Sequence, residues 1–260
     1  MAHSKFLSIC YFLRFIYTYV IFGILAFIIA PISCIILAVV TLRGRDIRNN
    51  ALAMGFGKFM RKAIGFNLEI RNKHQVPEDN AIYILNHQSM LDIVILAHLI
   101  PARCILITKR SIMYTVPLFA LAIYLCGHQM INRSNREQSI SSLKEAVEDM
   151  KKKKTSTFAF PEGTRTVDSK LQPFKKGAFH MAVQAQFPLV PMVISTFEHV
   201  INFKSWKVIG SKFIVEVLPV IPTEGRTASD VEELLDQSYH TMNETFLKIN
   251  KEVIEEKKTK

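Results

Sequence analysis

The sequence predicts an α/β protein with a mixed, largely parallel sheet flanked by helices. An N-terminal membrane-embedded helix or two-helix hairpin precedes it. Three observations carry this expectation. Short β-rich runs alternate with helical patterns from residue 46 to 250; no residue between Phe15 and Leu42 is charged; and basic residues crowd the boundary between the two regions. The implied plan is an anchor over 1–45, an α/β domain over 46–250 and a charged, frayed tail over 251–260.

The anchor comes first in the chain. The uncharged run "FIYTYVIFGILAFIIAPISCIILAVVTL" exceeds the roughly 20 apolar residues that cross a bilayer core as helix. It is also longer than the apolar core of a signal peptide. Pro31 interrupts it, which leaves open a single span or two shorter helices dipping into one leaflet. Arg43, Arg45, Arg48, Lys58, Arg61 and Lys62 follow closely, against Lys5 and Arg14 before it. That bias places the following domain on the cytoplasmic side, with the cations facing anionic headgroups.

The domain reads in order. Residues 46–66 form a basic amphipathic helix. Candidate strands lie at 68–72, 81–86, 102–108, 155–161, 189–195 and 213–221. Helical patterns lie near 89–99, 113–125, 135–152, 175–186 and 228–250. The apolar stretch 112–127 is short for a second span and contains Pro117, so it reads as a buried helix or an acyl-facing wall.

Composition narrows the chemistry. A net charge of +11 asks for an anionic partner: nucleic acid, a membrane surface or an anionic substrate. Aromatic residues do not interleave with the basic ones as stacking platforms would, and the anchor serves no nucleic-acid role, so no nucleic acid is expected. Cys10, Cys34, Cys104 and Cys126 are far apart, which argues against a disulfide framework or a cysteine zinc site, and no metal is expected.

Three strands end in unusual polar sequences, where functional groups gather in α/β sheets. After 81–86 come His87 and Asp92. Five residues apart, they cannot share a helix face, so they meet only if His87 sits in the loop and Asp92 lies one turn into the following helix. Ser89 would cap that helix, whose exposed N–H groups would hold Asp92 ionised. A carboxylate beside a histidine makes a general base for a hydroxyl. Those residues alone are read more simply as a capped loop. After 155–161 come Glu162, Gly163, Thr164 and Arg165, a turn able to hold an anion or merely to carry a surface ion pair. Lys109 and Arg110 follow the strand at 102–108 and, with Arg133 at the end of "GHQMINR" (127–133), could converge on the same anion. Together these elements point to chemistry on a hydroxyl beside a phosphate, in an amphipathic substrate.

The blocks "NHQSMLD" (86–92), "GHQMINR" (127–133), "FPEGTR" (160–165) and "LVPMVIS" (189–195), with "LQPFKKGAF" (171–179), resemble the glycerolipid acyltransferases in order and spacing. Within that family they most resemble the 1-acyl-sn-glycerol-3-phosphate, or lysophosphatidate, acyltransferases. The resemblance covers roughly 60–225. It implies that His87 deprotonates the sn-2 hydroxyl with Asp92 orienting it, and that the alkoxide-like oxygen attacks an acyl thioester without a covalent enzyme intermediate. Glu162, Gly163, Thr164 and Arg165 match the acceptor-binding block. Arg133 and Lys109 match further phosphate-facing cations, and Pro191 matches a position tied to the acyl donor or to packing. Expected partners are membrane lipids, lysophosphatidate and acyl-CoA or acyl carrier protein as co-substrate, with no cofactor. The product is phosphatidate, for phospholipid biosynthesis. Alternatives are another lysophospholipid or glycerol 3-phosphate as acceptor, or a silent lipid-binding protein. The short layout points to a bacterial inner membrane, or the endoplasmic reticulum if the chain is eukaryotic.

Overall fold

The computed structural model describes residues 2–132, 136–166 and 170–258. Its N-terminus is helical throughout. Helix α1 (Ala2–Ile24) passes through a π-helical turn (Leu25–Ile29) into α2 (Ala30–Val40), and Ile24, Ile29 and Ala30 all keep right-handed helical dihedrals. The π turn explains why Pro31 does not break the rod. Widening the turn makes room for a ring that has no N–H to donate. One continuous helix, rather than a hairpin, therefore precedes the domain.

Burial along this rod is one-sided. Phe15, Phe22, Leu25, Ala30, Cys34 and Ala38 are buried against the domain, whereas Phe12, Ile16, Val20, Ile24, Ile28, Ile32 and Ile36 are exposed. The two stripes repeat at helical spacing, so an apolar face remains open along the whole rod.

The domain continues through α3 (Ala51–Ile64), β1 (Asn67–Arg71), β2 (Ile82–Leu85), α4 (Asp92–Leu99), β3 (Cys104–Lys109), α5 (Ile112–Thr115), α6 (Pro117–Leu125) and β4 (Gln129–Ile131). It is completed by α7 (Arg136–Lys153), β5 (Ser156–Ala159), α8 (Gly177–Ala185), β6 (Leu189–Ile194), the short pair β7 (Ile201–Asn202) and β8 (Lys207–Val208), β9 (Lys212–Val217) and α9 (Val231–Lys258). The sheet order is β1-β9-β6-β2-β5-β3-β4, parallel except where β6 meets β9. Ile84 lies opposite Ala159 on one side and Pro191 on the other, so β2 is central.

Alternation along β2 divides the core. Tyr83 and Leu85 face a layer holding Phe15 and Phe22 of α1, Met60 and Ile64 of α3, and Val94 and Ile95 of α4. Ile82 and Ile84 face Val147, Phe179, Met242 and Phe246 on α7, α8 and α9. With helices on both faces, central strands are apolar at every position, which is why they read as continuous runs.

Two regions differ from the expectation. The stretch 112–127 divides at Pro117 into α5 and α6; α6 packs against the rod with Ala120, Ala122 and Ile123 buried while Leu118, Leu121 and Tyr124 are exposed. The tail expected at 251–260 is helical as far as Lys258. Val253 is buried in the core, and Glu252 and Glu256 pair with Arg71 and Lys212, each at 2.7 Å, so α9 has packing reasons to run past residue 250.

Candidate active site

Parallel neighbours deliver their C-terminal ends to one edge of the sheet, and β2, β3, β5 and β6 all end there. At the end of β2 the chain places three side chains in alternation. Asn86 is buried; its amide donates to the Ile194 carbonyl (2.9 Å) and its oxygen accepts the Ile194 N–H (2.8 Å). Gln88 is also buried, donating to the carbonyls of Ile194 (3.2 Å) and Ser195 (3.0 Å) and accepting the Phe197 N–H (3.0 Å). Both flanking residues are thus tied to the end of β6. His87, between them, turns to a cleft of about 1210 Å³.

His87 is held at three points, two on its ring and one on its backbone. Its Nδ1 lies 2.7 Å from Asp92 Oδ2, its face stacks on Phe160 at 3.8 Å, and its backbone N–H donates to Glu162 Oε1 at 2.7 Å. Asp92 opens α4 and is almost wholly buried. Its Oδ2 also accepts the N–H groups of Gln88 (2.9 Å) and Ser89 (3.1 Å). Burial pushes the Asp92 carboxyl above its usual range, and the His87 contact with the two N–H groups pulls against that. The expected helix-terminus stabilisation thus comes from N–H groups just before α4, on which the carboxylate folds back. Ser89 is not the helix cap that the sequence suggests: α4 begins at Asp92 after Leu91, with no side-chain cap, and the Ser89 Oγ instead accepts the Leu91 N–H (3.2 Å) in the turn leading into it. With the carboxylate as acceptor, Nδ1 carries the proton and Nε2 offers its lone pair to the cleft.

The turn after β5 forms the facing wall. Glu162 is buried, and both of its oxygens are used: Oε1 on the His87 N–H and Oε2 on the Gln172 N–H at 2.9 Å. Burial raises its carboxyl as well, opposed by those two donors. Glu162 therefore joins the histidine loop to the 171–179 block. Gly163 adopts a positive φ of 69°, and a Cβ there would meet the Lys175 ammonium at 2.7 Å. The glycine thus lets that lysine lie across the turn. Thr164 and Arg165 are exposed and line the cleft, as does Lys109 at the end of β3. Arg133 lies outside the described residues.

Lys175 joins Lys109 and Arg165 in the cleft wall without having been singled out from the sequence. Its signal was present in "LQPFKKGAF", but only the fold brings that block against Gly163. Asn86 and Gln88 were likewise inconspicuous, because their partners lie more than 100 residues away. Pro191 lines neither cavity and sits inside β6, a packing position.

A second cavity, apolar and of about 120 Å³, lies behind the cleft between the rod, α3, α4 and α6. Pro31, Cys34, Met54 and Phe119 line it, and Leu106 and Phe158 wall both spaces.

Comparison with known proteins shows the family. A family model described as Acyltransferase matches residues 67–195. The chain is 36% identical to human 1-acyl-sn-glycerol-3-phosphate acyltransferase beta over 80% of its own length and 75% of that protein's. It is 33% identical to the human alpha enzyme, over 84% of this chain and 77% of that one. In fold it is similar to the crystal structure of the 1-acyl-sn-glycerophosphate (LPA) acyltransferase PlsC from Thermotoga maritima, with a TM-score of 0.71 and 24% identity over 96% of this chain and 97% of that chain. A base-like histidine on a cation-walled cleft, matching motifs and relatives of this similarity make the chain a member of the 1-acyl-sn-glycerol-3-phosphate acyltransferase family.

Proposed function

We infer that the protein transfers a fatty acyl group from an acyl thioester to the sn-2 hydroxyl of lysophosphatidate, giving phosphatidate. The observation that carries the mechanism is the 2.7 Å His87–Asp92 contact, with Nε2 open to a cleft walled by Lys109, Arg165 and Lys175. Nε2 accepts the hydroxyl proton while the oxygen attacks the thioester carbonyl. Asp92 stabilises the imidazolium that forms. Collapse of the tetrahedral intermediate breaks the C–S bond, and the departing thiolate takes the proton back from His87, so the histidine is regenerated without a covalent enzyme intermediate.

The acceptor phosphate is held by Lys109, Thr164, Arg165 and Lys175, with the Gly163 backbone close enough to contribute and Arg133 assigned there on the motif match. Holding the phosphate fixes the distance of the sn-2 oxygen from His87. Glu162 serves the site by bracing the loop that carries His87. The apolar cavity beyond Leu106 and Phe158 receives an acyl chain, which keeps that chain out of water. The reading needs no cofactor beyond the thioester, from coenzyme A or acyl carrier protein.

The protein works on a membrane surface, with its domain towards the cytoplasm. The rod is buried on one side from Phe15 to Ala38, about 35 Å of helix, longer than a bilayer core is thick. A helix clamped to the domain over that length meets lipid side-on, with α6 beside it. Animal and yeast relatives support the endoplasmic reticulum over a bacterial inner membrane.

The test offers detergent-purified protein a radiolabelled oleoyl thioester with lysophosphatidate, lysophosphatidylcholine and glycerol 3-phosphate in parallel. Phosphatidate from lysophosphatidate alone, lost by about two to four orders of magnitude in His87→Ala, is expected. Product from another acceptor would change the substrate, and an active His87→Ala would remove the base assignment.

A further inference from the structure

The single tryptophan of the chain, Trp206, ends the turn between β7 and β8. The base of this hairpin is fixed. Ile201 and Val208 are fully buried, and Asn202 Oδ1 accepts the Ser205 N–H at 2.9 Å inside the turn. Trp206 has a φ of 57°, a left-handed conformation that glycine or asparagine takes easily and a bulky aromatic residue rarely adopts. It seats the ring against Phe15 of α1, centroids 5.5 Å apart, and still leaves the residue 56% exposed. Packing on α1 alone does not account for a tryptophan held in this way.

The surroundings of the ring indicate what covers it. Lys204 is exposed and Lys207 half-buried, and no acidic residue occurs between Val200 and Lys212. Tyr17 donates to the Ala63 carbonyl at 3.1 Å, which puts α3 along one flank of α1. Phe15 and Tyr19, which meet Trp206 and Phe203, lie towards the other flank. Next round the helix on that flank come Phe12, Ile16 and Val20, all exposed. The indole therefore borders the open apolar face of the rod. The other half of the rod is flanked in the same way: α6 packs against α2, with Tyr124 exposed and Arg45 5.3 Å from the centre of its ring. Aromatic rings beside cations are the composition of protein surfaces that meet lipid headgroups.

We propose that the β7–β8 turn is a second membrane contact, with the Trp206 indole at the headgroup level of an anionic lipid surface and Lys204 and Lys207 on its phosphates. A single helix lying in a membrane can roll about its own axis. A contact beside it stops the roll, and so fixes which way the sheet edge that carries His87 faces.

This rests on the rod lying side-on in lipid, and the experiment reads the two separately. Full-length protein is reconstituted into vesicles of phosphatidylcholine and phosphatidylserine and floated on a density gradient. Its tryptophan emission is then recorded with aqueous acrylamide and with lipids brominated either high on the acyl chain or at its end. The expected result is a blue-shifted emission, protected from acrylamide and quenched more by bromine high on the chain. In protein that floats, emission open to acrylamide and untouched by bromolipid would overturn the proposal and leave the rod in place. Emission protected from both quenchers would overturn it too, because a second copy of the chain would then cover the ring. Stronger quenching from the chain end would place the ring in hydrocarbon, against the headgroup contact. Protein that does not float fails the side-on rod itself, and the hairpin contact with it. Trp206→Asn, which suits the left-handed backbone, gives an independent reading. It should lower kcat/KM for lysophosphatidate presented in anionic vesicles by about tenfold, with Tm unchanged and turnover of a short-chain, monomeric lysophosphatidate within about twofold of wild type. Equal losses on both acceptors, or no loss on either, would overturn the proposal.

Discussion

Glu162→Gln separates two roles that the motif alone cannot distinguish. The carboxylate is 3% exposed and accepts the His87 N–H at 2.7 Å and the Gln172 N–H at 2.9 Å, one on each oxygen. Glutamine preserves the shape but replaces one acceptor with an NH₂ group that faces an N–H. One buried donor is orphaned, at about 1–3 kcal/mol. Part of that is returned, because the neutral amide avoids the burial cost that pushes the Glu162 carboxyl upward. A net loss of roughly 2 kcal/mol, at about 2–4 °C per kcal/mol for a domain of this size, lowers Tm by roughly 4–8 °C. The orphaned group is either the backbone of His87 or the loop that Glu162 ties to it, so Nε2 shifts relative to the acceptor. A displacement well under 1 Å is enough to reduce kcat by about tenfold. Thermal melts in detergent and steady-state kinetics with varied lysophosphatidate read both effects. The expected pattern is a lowered Tm and kcat with KM nearly unchanged. An unchanged Tm with a raised KM would refute the bracing role and make Glu162 a substrate contact.

Three further outcomes are expected. Asp92→Asn reduces kcat by about two to four orders of magnitude with substrate binding retained, checked by single-turnover assay against equilibrium binding, since the amide neither fixes the Nδ1–H tautomer nor balances the imidazolium. Arg165→Ala and Lys175→Ala each raise KM for lysophosphatidate far more than for a phosphate-free analogue, by about tenfold; equal losses on both acceptors would argue against a phosphate clamp. His128 is buried with its Nδ1 accepting the Leu106 N–H, and burial, with Arg45 nearby, lowers it from 6.5 to about 4. The unfolded chain therefore binds the proton first, and stability falls as pH drops from 6.5 towards 4, by roughly 3 kcal/mol at most. In denaturant melts across that range His128→Gln, which can still accept the N–H, should flatten the slope.

The sequence alone determined the class of the protein, because the physics behind that reading is local. Alternating β-rich and helical runs reported which segments bury which faces, and all six expected strands form. The uncharged N-terminal run reported a helix made for an apolar surroundings, and the spacing of His87 and Asp92 required the loop-and-helix arrangement that the structure contains. The short strand β4 and the pair β7–β8 left no such signal, since two or three residues are too few to show a period. Tertiary structure decided what depends on residues distant in the chain. Only the sheet order places Ile194 against Asn86 and Gln88, Glu162 against the His87 backbone, and Lys175 across Gly163. Only packing against the domain shows that the rod continues through Pro31 and that α9 extends past residue 250. A motif records which groups are present. Which of them touch substrate and which hold the others in place is set by contacts across the sheet, and those are absent from any local window of sequence.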